Sequence, residues 1–337
     1  MANPAVRQGK NRVELPGSPP SVLPAMNRDI RIATRGSELA LWQTNRVRGE
    51  LENRFPEARF ETLTIKTTGD KILDVPLAKI GDKGLFTKEL DASLLRCETD
   101  FAVHSLKDLP TKLPEGLAIA AITKRHDARD VLISRNGEDL ASLRQGARVA
   151  TGSLRRRSQL LHHRPDLEIL EIRGNLNTRF RKFDESDWDA MILAAAGVER
   201  LGWDSRISEK ISTDILLPAV GQGSLAILCR EEDLEMREFL SCMEDQESML
   251  AARAERSLMR TLEGGCQVPI GAQAVVSEAG ILLAGCVCSL DGRSLVRDSV
   301  SSDPGGDPEA LGARLARILL ENGAREILRG IFGKDSR

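Results

Sequence analysis

Tyrosine is absent from the 337-residue chain, and aromatic residues reach only 3%. Proteins that hold single-stranded nucleic acid stack its bases on aromatic rings, so no nucleic-acid partner is expected. Charge of one sign is missing too: 48 Lys and Arg stand against 50 Asp and Glu, a net charge of -2. A bulk polyanion binder needs an excess of cations, so any basic site has to be local. No apolar run approaches the roughly 18 residues of a membrane span, and no membrane partner is expected. The six cysteines (Cys97, Cys229, Cys242, Cys266, Cys286, Cys288) form no Cys-x-x-Cys pair, and the four histidines do not sit near them at zinc-site spacing. We expect no metal, and reduced thiols in a cytosol-like compartment.

Residues 1–27 are rich in Pro, Gly and Ser, show no period and lack the apolar stretch of a signal peptide. A disordered tail on a cytoplasmic protein is the expectation. Two alternatives stay open: an organelle-import segment, since the stretch is basic and nearly acid-free, and Met26 as the true start. From there on, 41% apolar residues suffice for real cores, and the length suggests two or three domains.

The pattern from residue 28 alternates strands and helices. IRIAT reads as a strand, Gly36 as a turn, and Ser37 as the cap of a helix through about Phe55. RFETLTIKTT is a strand, GLFTKELDASLLRCE a helix, and DFAVHSL and GLAIAAIT are strands, giving an open α/β domain. A second β-α series runs from DVLISR through ARVATGS, the helix SLRRRSQLLHHRP capped by Ser153, LEILEIRG, NLNTRFRKFDE and WDAMILAAAGVERLG. LPAVGQGSLAILCR is a turn and a strand that lead back to the first domain. A helix from Asp245 ends on Gly264 as its C-cap. Three strands and a last helix from about Pro308 to Leu328 complete a small α+β unit.

Four constellations carry chemistry. Arginines cluster where strands give way to helices: Arg35 before Gly36-Ser37, Arg155, Arg156 and Arg157 after Ser153, and Arg173 and Arg179 around Gly174. Ligands of open α/β sheets bind beyond the carboxyl ends of strands. Helix starts attract anions, and arginine forks onto carboxylate or phosphate. Cations in a first helical turn oppose the helix dipole, so Arg155 and Arg156 imply a bound anion. Next, FAVHSLKDLP delivers Ser105, Lys107 and Asp108 to a loop stopped by Pro110, where Asp108 can act as an acid/base or stabilise a cation. His104 reads as a core or orienting histidine. LAKIGDKGLFTKEL sets Lys79 and Lys83 among glycines but matches neither nucleotide-binding fingerprint. Finally, LEGGCQVPIG presents Cys266 in an accessible loop. It lies at the wrong end of the preceding helix for a lowered thiol pKa, so attachment of a stable group fits better than turnover chemistry.

These stretches together resemble the porphobilinogen deaminase (hydroxymethylbilane synthase) family. IATRGSELALWQ, TTGDKILD, LAKIGDKGLFTKEL, AVHSLKDLP, GSLRRRSQL, IRGNLNTR, ILAAAGVERLG, LPAVGQG and LEGGCQVPIG occur in the family's order, from about Ile30 to Gly271. The resemblance implies two α/β domains like the type II periplasmic-binding-protein domains, residues 28–123 plus 224–241 and residues 129–217, with a small α+β C-terminal domain at 246–337. It implies a transferase that condenses four porphobilinogens head to tail into hydroxymethylbilane, with release of ammonia. A dipyrromethane cofactor would be bound to Cys266 by a thioether, with Ser105, Lys107, Ser153, Arg155 and Arg156 around it. Arg35, Ser37, Lys79, Lys83, Arg173, Arg179 and Arg200 would hold the carboxylates of substrate and growing chain, and Arg157 would be a bystander. Asp108 would be catalytic. An opposite charge at 4 Å is worth about 4 kcal/mol at an effective dielectric near 20, or roughly three orders of magnitude in rate. The implied enzyme is a monomer whose product passes to uroporphyrinogen III synthase.

Leu228 and Cys97 depart from the family pattern, where an acidic residue and a polar turn residue are usual. An anion-binding module without catalysis would explain the arginines and the paired α/β domains. It leaves the cysteine loop and Asp108 unexplained. Hinges are expected near 123–130 and 217–224.

Overall fold

A computed structural model of the chain describes residues 28–71, 86–262 and 268–332. The expectations for residues 1–27, Lys79, Lys83 and Cys266 concern positions outside these residues.

The first sheet has five strands in the order β2-β1-β3-β10-β4. They are β1 (Asp29–Thr34), β2 (Arg59–Thr64), β3 (Phe101–Ser105), β4 (Leu117–Ile122) and β10 (Leu225–Arg230). β1 pairs in parallel with β2 and β3, while β10 enters antiparallel between β3 and β4. A strand covered on both faces must be apolar on both, and β3 is: Phe101 and Val103 join one core with Ile227 and Phe239, and Ala102 joins the other with Leu90 and Leu228. Each large side chain so buried stabilises the fold by about 1.5–3 kcal/mol. Leu228 is fully buried, which accounts for an apolar residue at that position. Helices α1 (Glu38–Arg54), α2 (Thr68–Lys71), α3 (Lys88–Leu95) and α7 (Leu234–Ser241) accompany this sheet.

The second sheet repeats the plan in the order β7-β6-β8-β5-β9. Its strands are β5 (Asp130–Ser134), β6 (Arg148–Ala150), β7 (Glu168–Leu170), β8 (Ala190–Ala194) and β9 (Glu209–Lys210). β6 is parallel to β7 and β8, and β5 is antiparallel to β8. Helices α4 (Leu154–His163), α5 (Leu176–Asp184) and α6 (Ala195–Arg200) follow β6, β7 and β8. The chain passes between the two sheets at 123–129 and again at 211–224.

The third sheet is an antiparallel meander of β11 (Ile270–Ser277), β12 (Gly280–Cys288) and β13 (Leu295–Ser302). Leu283 packs in one core with Leu258 of α8 (Gln246–Thr261) and Leu315 of α9 (Pro308–Leu319). The two helices meet at Gly312, where a Cβ would come within 2.3 Å of the Ala254 carbonyl oxygen. The architecture is the α/β class with a small third unit that the resemblance implies.

Two details differ from the sequence reading. The last helix breaks at Gly323 (φ 108) before α10 (Arg325–Phe332), because the apolar period continues across a residue free to leave the helical region. α8 ends at Thr261 with Leu262 as its C-cap, and Gly264 lies outside the described residues.

One buried carboxylate ties the three sheets together. Glu255 of α8 is 0% exposed. It accepts two hydrogen bonds from Arg125 in the first crossing (2.7 and 3.0 Å), one from Gly221 N in the second (2.7 Å) and one from Ala274 N on β11 (2.8 Å). Four donors, one pair of them from a cation, satisfy a buried anion that alone would be very costly.

Candidate active site

The site begins at two strand ends of the first sheet. β1 runs into Arg35-Gly36-Ser37, and Ser37 caps α1 by accepting the Ala40 N–H at 3.3 Å. Only a lone pair is used, so the hydroxyl proton remains available to a ligand. The Arg35 guanidinium stacks over the Phe86 ring, 4.5 Å from its centroid. Beside it β3 ends in a 3-10 turn, Leu106–Asp108. The turn is held by Leu106 N–H donating to Ser224 O on the second crossing (3.0 Å), and Ser105 Oγ accepts from Gln43 Nε2 (2.9 Å). Asp108 is exposed, and Arg35, Ser37, Gln43, His104, Ser105 and Asp108 face one pocket.

Facing elements from the second sheet supply cations. Ser153 caps α4 by accepting the Arg156 N–H at 3.4 Å. Arg155 and Arg156 then turn inward onto Asp130, which is 0% exposed. Arg155 Nη1 donates to Asp130 Oδ2 (2.7 Å) and Leu217 O (2.6 Å), and Arg156 Nε and Nη2 donate to Asp130 Oδ1 (3.0 and 2.7 Å). This corrects the argument that these arginines require an external anion: Asp130, from the first strand after the crossing, offsets the helix dipole from within. Burial by itself would raise the Asp130 carboxyl, but the two guanidiniums outweigh it and hold it well below the usual range.

Gln222 joins this cluster to the loop after β3. Its Nε2 donates to Asp130 Oδ1 (2.9 Å) and Ala128 O (2.7 Å), and its Oε1 accepts from Lys107 Nζ (3.1 Å). Gly223 beside it has φ 96, and a Cβ there would lie 2.4 Å from the His126 carbonyl oxygen. Burial, and then the charge of Arg156, lower the Lys107 ammonium to about 8.

The remaining arginines line the same region. Arg179 Nε donates to Gly174 O (2.8 Å), and burial, reinforced by Arg156 and Arg173, lowers it to about 10. Asp108 is close enough to oppose that shift. Arg173 pairs with Glu171 (2.8 Å), leaving its buried Nε without a partner. Arg200 donates to Gly223 O (2.7 Å), lies 5.8 Å from the Trp42 ring centroid, and is lowered to about 10 by burial. The two lobes touch where Asn177 Nδ2 donates to Glu38 Oε2 (2.6 Å). Arg157 is exposed.

Around Asp108 five cations (Lys107, Arg155, Arg156, Arg173, Arg179) meet three carboxylates (Asp108, Asp130, Glu171) within electrostatic reach of one another. Two buried guanidinium nitrogens, Arg155 Nε and Arg173 Nε, have no hydrogen-bond partner. An excess of cations with orphaned donors fits a carboxylate-rich ligand such as a dipyrromethane bearing acetates and propionates. A second hollow lies at the opposite end of the first sheet, lined by Glu115, Glu231, Glu232 and Arg230, and its charge is wrong for such a ligand. Sequence reasoning missed Asp130, Gln222, Gln43 and Glu255. Gln222 alone carried a local signal, the glycines on either side of it.

Comparison with known proteins agrees with this chemistry. A family model described as "Porphobilinogen deaminase, dipyromethane cofactor binding domain" matches residues 30–238, and one described as "Porphobilinogen deaminase, C-terminal domain" matches residues 249–321. The porphobilinogen deaminase of Chloroherpeton thalassium is 53% identical over 306 residues, covering 90% of this chain and 98% of that one. That of Gloeobacter violaceus is 54% identical over 312 residues, covering 91% and 95%. Among solved structures, the Escherichia coli aliphatic sulphonate binding protein SsuA is similar at 14% identity, over 70% of each chain, with a TM-score of 0.38. Two matched domains that span most of the chain, and relatives at half identity over nine-tenths of it, establish that this chain belongs to the porphobilinogen deaminase family.

Proposed function

We propose that Asp108 is the catalytic carboxylate of this porphobilinogen deaminase. The enzyme condenses four porphobilinogens into linear hydroxymethylbilane for tetrapyrrole biosynthesis, using a dipyrromethane cofactor. The observation that carries the assignment is placement: Asp108 is a carboxylate on the wall of a pocket whose other polar lining is Arg35 and neutral side chains. Departure of ammonia from porphobilinogen leaves a cation, and a carboxylate held at the rim can stabilise it and accept pyrrole N–H groups. Arg35 and Ser37 hold substrate carboxylates on one side, and Arg173, Arg179 and Arg200 hold those of the growing chain on the other. Lys79 and Lys83 join this substrate-binding set, on the motif alone.

The cofactor, attached at Cys266, serves as the primer from which the chain grows. In this reading Ser105, Lys107 and Ser153 donate to its carboxylates. Arg155 and Arg156 contribute mainly charge, since their inward donors are already bonded to Asp130. Asp108→Asn, in protein whose intact mass shows the cofactor, lowers kcat by about three orders of magnitude. An unchanged kcat refutes the role. A Cys266→Ser variant that still carries the mass of two porphobilinogens less two ammonias refutes the anchor.

The domains follow the three sheets: 28–123 plus 224–241, 129–217, and 246–337, hinged near 123–130 and 217–224. Small-angle scattering that stays identical from cofactor-only enzyme to loaded intermediates argues against hinging. The protein is read as a cytoplasmic monomer that passes its product to uroporphyrinogen III synthase. Support for the monomer is that exposed large apolar side chains are few among the described residues: Trp42, Leu95, Leu234, and Val275 paired with Leu282 across β11 and β12. The described cysteines are free thiols, as a reducing compartment keeps them, and no helix among the described residues is long and apolar enough to cross a membrane.

A further inference from the structure

His104 is the fourth residue of β3, paired with Ala226 of β10 and 5% exposed. His104 lines the pocket with Arg35, Ser37, Gln43, Ser105 and Asp108, and Arg35 lies within electrostatic reach of its ring. Of the polar groups there, Gln43 bonds Ser105, Ser37 bonds the α1 backbone, and Arg35 lies over the Phe86 ring. His104 Nε2 is buried and has no hydrogen-bond partner. An orphaned buried polar atom destabilises a fold, and an apolar side chain of similar volume would avoid the loss. Such an atom at the wall of a ligand pocket is accounted for if a ligand completes it.

The ring's charge state narrows the ligand group. Burial first, and then the charge of Arg35, lower the imidazolium to about 4, so the ring is neutral throughout the working range. A neutral imidazole carries one N–H donor. The cation beside it favours an anion over an ammonium at that spot.

We propose that His104 is a substrate-binding residue whose Nε2–H donates to a carboxylate of porphobilinogen held by Arg35. The proposal rests on the reading of this pocket as the porphobilinogen pocket. It adds a ligand contact to the core histidine that the sequence led us to expect and that its burial bears out.

His104→Leu tests it, because binding and stability should move independently. Leucine fills the volume without the orphaned nitrogen, so the melting temperature stays level or rises and the intact mass still shows the cofactor. Loss of a hydrogen bond to a charged group raises KM for porphobilinogen by roughly tenfold to a hundredfold, with kcat little changed. His104→Gln, which keeps a donor at similar reach, recovers most of the affinity. If the leucine variant does not fold, His104→Asn, too short to reach, gives the same comparison with His104→Gln. A KM equal to wild type in the apolar or shortened variant overturns the proposal. Wild-type protein that fails to consume porphobilinogen overturns the functional reading on which it stands.

Discussion

The two five-stranded sheets make the same turn and use it differently. After β1 the chain runs Thr34-Arg35-Gly36-Ser37 into α1, and after β6 it runs Thr151-Gly152-Ser153 into α4. In each the serine caps the helix by accepting an N–H three residues on, at 3.3 and 3.4 Å. In the first turn the arginine precedes the cap and lies in the pocket. In the second, the arginines follow the cap and bury against Asp130. One turn thus sets its cation at the pocket, and the other pairs its cations with a buried carboxylate. Basic residues at a helix start are therefore not evidence of a ligand until the carboxylates that reach them from elsewhere are known.

The sharpest break of this comparison is to remove Asp130. Asp130→Ala leaves two buried guanidiniums without their anion and costs about 3–5 kcal/mol, read as a lowered urea midpoint. The contrast requires Arg35→Ala to leave that midpoint nearly unchanged. The same ion cluster sets an acid limit. A carboxyl held low in the folded state contributes stability that is present above its unfolded pKa, about 4. That stability is lost as pH falls toward the folded value, so acid unfolding of wild type should draw on Asp130.

Arg35→Ala should instead be felt in turnover. Loss of a charge-assisted contact to a carboxylate costs about 2–3 kcal/mol, a fall in kcat/KM of roughly a hundredfold. A midpoint shift as large as that of the Asp130 variant would erase the distinction between the turns.

Lys107 offers a graded test between the lobes. Burial lowers its ammonium to about 8, below the ordinary lysine range, so the folded state sheds a proton that the unfolded chain keeps. Its burial therefore weighs against folding below about pH 8, and this is relieved as pH rises toward 10.5. Binding moves the other way, because the neutral amine no longer attracts carboxylate. If Lys107 holds the cofactor's carboxylates, turnover measured from pH 7 to 9 should fall on the alkaline side, and Lys107→Arg should flatten that limb. An alkaline limb that Lys107→Arg leaves in place assigns it to another group.

The smallest effect is the shared one. Ser37→Ala and Ser153→Ala should each cost about 1 kcal/mol of stability through the lost cap. If the hydroxyl of Ser37 also donates to substrate, its variant alone raises KM, and steady-state kinetics on both variants separates the two.

The site was half legible. Capping serines, the strand-to-helix turns and the loop after β3 follow from neighbours within four residues, and the structure has them where the sequence placed them. Asp130 was invisible as a partner of Arg155 and Arg156 because it lies 25 and 26 residues away. Glu255 looked like one more charge on an amphipathic helix until Arg125, Gly221 and Ala274 arrived from three other elements. Gly323 failed in the opposite sense: the apolar period of the last helix hid a break that the glycine's φ of 108 makes.

By itself the sequence determined the order of elements, the caps, the α/β class and the family, since these depend on local periodicity and on motifs in series. Which cations line the pocket and which pair with carboxylates inside the fold was decided only by tertiary structure. A charge acquires its role from the groups packed against it, and at Asp130, Gln222 and His104 those groups come from distant strands and crossings.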